Sequence, residues 1–288
     1  MWTVFGVLVL AVALAIMFQI VVTVAIILKH YTAGVSPRDL SAKMQETLTI
    51  PRVTLLFLAL GQLGFAGSAW IYLSQNKQPW RDRIAWRPPR PGFSVYPIAI
   101  FATAIPTGLG LYLGQILEGI LPHDPSFVAF FENLTVPISI PFVILIGLLP
   151  GFFEEIVFRG IAQQRFVQRW GVFAGILVTS ITFAVAHLMP LNMVVVFPIG
   201  AWLCYIAWKA NSIWPTIACH IAINSGVNLY RVVVKFAELP DWAQKATIIT
   251  TLVIGAICFC RCLQSSYWAN SDDETVAKGK LDDLGSET

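Results

Sequence analysis

From Trp2 to Leu28 the chain runs without a single charged side chain. That stretch is longer than the roughly 20 residues a helix needs to cross a bilayer. Buried in a soluble core, such a segment would need apolar partners on every side, whereas lipid accepts it from all directions. Trp2–Leu28 is therefore expected to be a membrane helix. It lacks the basic start of a cleavable leader and far exceeds the roughly 7 to 15 residues of a signal core, so it is expected to remain in the mature protein. Further apolar runs at about 53–74, 93–121, 136–158, 170–189, 191–210, 212–234 and 246–262 bring the expected crossings to eight. Composition agrees: 57% of residues are hydrophobic and 12% charged, against about 25% charged in soluble domains. The expected fold class is all-α, a polytopic transmembrane helix bundle with the lipid bilayer as its solvent.

The segment from Gln75 to Gly92 carries five basic residues and four prolines and reads as a polar interfacial loop. Placed in the cytoplasm, it puts both termini inside and leaves the larger share of the Lys and Arg on the inner side. The acidic stretch 265–288 reads as a disordered tail. The chain then divides into 1–92 (N-terminal helices and basic loop), 93–136 (third helix and loop), 137–232 (a core rich in polar motifs), 233–264 (last helix) and 265–288. A net charge of +3 without a basic, aromatic-laced cluster excludes nucleic acid as a partner. The five cysteines lie in or beside apolar runs and imply packing, not disulfides. Gly110-x-x-x-Gly114 and Gly171-x-x-x-Gly175 read as close helix contacts, and Asn133-Leu134-Thr135 as a chance glycosylation triplet.

Ionisable groups inside membrane segments are costly and mark function. Here they are few: Glu154, Glu155 and Arg159 in GLLPGFFEEIVFRG, His187 closing FAVAH, and His220 with Asn224 in CHIAIN. Residues four apart share a helical face, so Glu155 can pair with Arg159 while Glu154 points roughly 100° away. One carboxylate is left unneutralised, which makes Glu154 the candidate general base. From a turn near Arg169-Trp170, Glu154 and His187 lie at similar distances along two antiparallel helices, roughly 22 to 26 Å from the tip. Their side chains can meet. His220 and Asn224 again share a face, and two donors aimed at one point suit a developing oxyanion. A continuous helix from Leu188 to Lys209 would set His220 roughly 15 to 20 Å away in depth from His187. Pro190 and Pro198 therefore suggest a partly non-helical 188–196, with a helix only from about Pro198 to Ala210.

The three motifs, EEIVFR at Glu154–Arg159, FAVAH at Phe183–His187 and HIAIN at His220–Asn224, occur in the order found in the CAAX-prenyl-protease-type family of intramembrane endopeptidases. That family takes in eukaryotic CAAX-processing enzymes and bacterial homologues linked to bacteriocin immunity. The resemblance covers about 137–232. It implies peptide-bond hydrolysis of membrane-anchored or prenylated substrates, with Glu154 as base on a water held by His187. It further implies that Glu155 and Arg159 organise the site and that His220 and Asn224 bind the oxyanion. Ser225 stands where the family often has an apolar residue.

A second chemistry stays open, because Glu154, His187 and His220 could hold zinc and acidify its water. The chain offers no HExxH and no cysteine cluster near these groups, so a metal-free site is favoured. From a different class altogether, a proton-coupled carrier or scaffold could keep such a cluster as a relay. A carrier of that kind should show repeated halves, and no second copy of either polar pattern is present.

Overall fold

The computed structural model describes residues 2–75, 79–122 and 126–269, and every regular element among them is helical. The chain begins with α1 (Trp2–Thr32), a short α2 (Leu40–Leu48) and α3 (Pro51–Ser74). A single turn α4 (Trp80–Arg83) leads to α5 (Val95–Ala102) and α6 (Ala104–Leu117), which together make one span bent at Thr103. After α7 (Ser126–Asn133) come α8 (Val136–Glu155), a π-helical segment (Ile156–Gln163) and α9 (Gln164–Val185). The bundle closes with α10 (Pro190–Ala210), α11 (Trp214–Ala237) and α12 (Asp241–Leu263).

Among the described residues, seven stretches are long and apolar enough to cross a bilayer. One of them, Val136–Val185, is 50 residues long and doubles back at Gly171. There the backbone adopts φ 80° and ψ 173°, a conformation open to glycine. Counting its two arms gives about eight crossings, and the chain is an integral multi-pass membrane protein. Gly171 is thus the hairpin turn and not a packing residue, while Gly175 on the return arm lies against Val167 on the outgoing one.

Lipid supplies no hydrophobic drive between helices, so close approach at small residues has to hold them. Gly64 of α3 meets the main chain of α1 at Ala11 and Ala15, and Gly110 of α6 meets the Val195 main chain of α10. Gly147 and Gly151 of α8 admit Ser225 and Ile221 of α11 in the same way.

Three expectations are corrected. The stretch 188–196 is not unwound: α10 is helical from Pro190, with Pro198 inside it. Proline at the first helical position removes no bond the helix would have made, and neighbouring helices tolerate the second. The segment after Gln75 is more than a polar loop. Its residues 76–78 lie outside the described ones, but Ile84 and Ala85 are fully buried, and Trp86 packs on Trp214 and Phe152. Ala85 carbonyl accepts from Ile213 N–H at 3.2 Å, and Arg87 carbonyl from the Ser212 hydroxyl at 2.6 Å. This strap underlies the π segment, where Gly160 sits against Ile84. Finally, the tail does not start loose at Ser265. Ser265–Trp268 form a 3-10 turn with Tyr267 and Trp268 buried, and the Trp268 indole donates to Cys262 carbonyl at 2.7 Å. The remainder, 270–288, lies outside the described residues.

Candidate functional site

The site grows from the end of α8. Helix α8 carries Pro141 and Pro150 internally and gives way after Glu155 to the π segment, a wider turn that is frequent at functional sites. All eight residues of that segment are buried. Glu154 and Glu155 are thus held at a point where both the helix geometry and its surroundings change.

Glu155 is fully buried, and one of its oxygens carries both of its polar contacts. Its Oε1 accepts from Arg159 Nη1 at 2.7 Å and faces His220 Nδ1 at 2.8 Å. Arg159, also fully buried, donates through Nη2 to the Gly200 carbonyl at 3.1 Å, and its guanidinium lies 4.3 Å from the Phe183 ring centroid. Gly200 leaves room for this arrangement, because a Cβ there would stand 2.8 Å from Phe183 Cδ1. Gln163 extends the ladder one turn further, donating to Cys204 carbonyl at 2.7 Å. The result ties the α8 arm to α10 and α11 through one carboxylate and one guanidinium.

Glu154, one residue earlier, has a different environment. Its Oε1 accepts from Gln62 Nε2 of α3 at 2.8 Å. With His187 it lines a cavity of about 180 Å³ walled by Val12, Ile16, Phe57, Leu58 and Phe65 from α1 and α3. His187 Nδ1 faces the Phe183 carbonyl at 3.0 Å, and since a carbonyl only accepts, Nδ1 carries the proton. With Nδ1 so engaged, Nε2 is the ring nitrogen left to hold a water. The matched depth expected from the hairpin is what brings Glu154 and His187 to one cavity.

His220 and Asn224 stand apart from that cavity. The Phe183 ring lies between the histidines, its centroid 5.0 Å from that of His187 and 5.9 Å from that of His220. Asn224 Nδ2 donates to Ile146 carbonyl at 3.2 Å, and the Ser225 hydroxyl to Val143 carbonyl at 3.3 Å. Both histidines thus reach the same ring although α10 is helical from Pro190. Among the described residues no three His, Cys, Asp or Glu side chains converge as a metal-ligand set. Of the three groups considered for zinc, Glu154 and His187 share a cavity while His220 Nδ1 faces Glu155 Oε1.

Two residues of the site escape a search for ionisable groups. Phe183 is the hub on which Arg159, His187 and His220 all pack. Gln62, 7% exposed, is the hydrogen-bond partner of Glu154. A buried amide in an otherwise apolar helix was the available signal, since such a group needs a partner just as a charge does.

A multi-pass helix bundle holding an acidic and a histidine side chain at one cavity is the class that fold and site define. Residues 136–226 match the family model described as type II CAAX prenyl endopeptidase Rce1-like. The resemblance carried by the three motifs is thus shown over this segment, which takes in Glu154, Glu155, Arg159, His187, His220 and Asn224. A protein of Escherichia coli described as an uncharacterized 24.3 kDa protein is 34% identical over 82 residues, 27% of this chain and 38% of that protein. The chain thus matches well under half the length of that curated relative. No solved structure matches it.

Proposed function

We propose that the protein is an intramembrane endopeptidase that hydrolyses membrane-anchored or prenylated, CAAX-like peptides. The observation that carries this reading is the pairing of Glu154 with His187 at one cavity, though they lie on separate helices of the Gly171 hairpin. A water bound between Glu154 and His187 Nε2 loses its proton to Glu154 as it attacks the scissile carbonyl. Glu154 then returns that proton to the leaving amine. Glu155 and Arg159 fix the junction between α8, which carries the base, and the π segment. His220 and Asn224 do not line that cavity, so their service as oxyanion donors requires the scissile carbonyl to reach from it to the hydrogens their present partners leave over. For Asn224 that is its second amide hydrogen; for His220 it is Nε2–H of the imidazolium, because Nδ1 is held by Glu155. No step is assigned to a metal.

The test is cleavage of prenylated and unprenylated membrane-anchored peptides by purified protein, in detergent and in lipid, with and without chelator. Wild-type cleavage that is lost in Glu154→Ala and His187→Ala and is indifferent to chelator supports the reading. Loss on chelation moves the chemistry to a metal, and absence of wild-type cleavage in both media moves the protein to the carrier or scaffold class.

A further inference from the structure

Resting on the proteolytic reading, we infer that Gln62 of α3 is a positioning residue for Glu154, so that the working site extends beyond the segment carrying the three motifs. Gln62 lies far outside 136–226. It nevertheless donates from Nε2 to Glu154 Oε1 at 2.8 Å, a contact 92 residues apart in sequence, and lines the same cavity as Glu154 and His187. A side-chain carboxylate at the end of a long flexible stem has several rotamers, and a base that must face one water needs a single one. The bond to Gln62 occupies one carboxylate oxygen of a side chain that lines the cavity and so restricts the rotamers open to it.

The neighbouring charges cannot do this task. Arg159 and His220 are both committed to Glu155 Oε1, and His187 is anchored by its Nδ1 to Phe183 carbonyl. Gln62 Oε1 is itself buried without a hydrogen-bond partner. An amide left half satisfied costs about 1 to 3 kcal/mol, so this one is not placed for packing economy: its retained contact is with the base alone. The placement of α3 is firm, since Gly64, two residues on, is seated against Ala11 and Ala15 of α1.

The experiment compares wild type, Gln62→Leu, Gln62→Met and Glu154→Ala on one membrane-anchored peptide, measuring kcat and KM across pH with thermal unfolding in detergent alongside. A positioning role predicts that Leu and Met, which keep volume but not the donor, lower kcat about 10- to 100-fold with KM within about 3-fold. It also predicts a displaced pH profile, because the one hydrogen-bond donor to the base is gone. Wild-type kcat and an unmoved pH profile in both variants overturn the inference, as does a fall in kcat that only tracks lost thermal stability. If wild type and Glu154→Ala are equally inactive, the proteolytic reading itself fails and this inference with it.

Discussion

Glu154 and Glu155 are adjacent in the chain and opposite in circumstance. Glu155 is sealed at 0% exposure between a guanidinium and an imidazole, whereas Glu154, 8% exposed, meets one neutral amide and a cavity. The roughly 100° between successive helical residues sends one towards α10 and α11 and the other towards α1 and α3. Identical side chains are thereby divided into a structural tie and a group with capacity left for chemistry. Chemical type at these two positions says nothing about role; the partner does.

That division can be broken by substitution. The largest effect is expected at Glu154, where Gln should lower peptide cleavage by about 10²- to 10⁴-fold while thermal unfolding in detergent stays close to wild type. At Glu155 the same change should act through the fold, and a silent melting curve with equal loss of activity there would erase the distinction. Arg159→Ala leaves the Glu155 carboxylate buried beside His220 alone, and breaking such a pair should cost about 3 to 5 kcal/mol of stability, measured by unfolding. Gly151→Ala should cost about 1 to 3 kcal/mol, because its Cβ would press on Ile221 main-chain nitrogen at 2.9 Å and part α8 from α11. Smallest is Ser225→Ala, whose single 3.3 Å bond to Val143 carbonyl is worth about 1 kcal/mol or less.

Membrane crossings were legible because an apolar run of given length has one inexpensive environment, and that rule acts locally. The polar residues stood out for the same reason, and a turn near Arg169-Trp170 was expected from spacing, although Gly171, where it falls, read as a packing residue. The unwinding expected at 188–196 failed because upright helices were assumed to keep the histidines apart in depth, whereas both pack on Phe183 with α10 helical from Pro190. Ser265–Trp268 failed because a tail reads as polar on average, while two aromatic side chains suffice to dock it on Tyr205 and Cys262.

Composition and periodicity thus determined by themselves that this chain is a helical membrane protein and which side chains lipid would not tolerate. Only the tertiary structure decided that Glu154 opens to a cavity while Glu155 is locked away, that Gln62 joins the first, and that the strap at Ile84 covers the π turn. Each of those outcomes depends on which distant helix arrives at a given face, a matter of packing across the whole bundle that no local run of residues encodes.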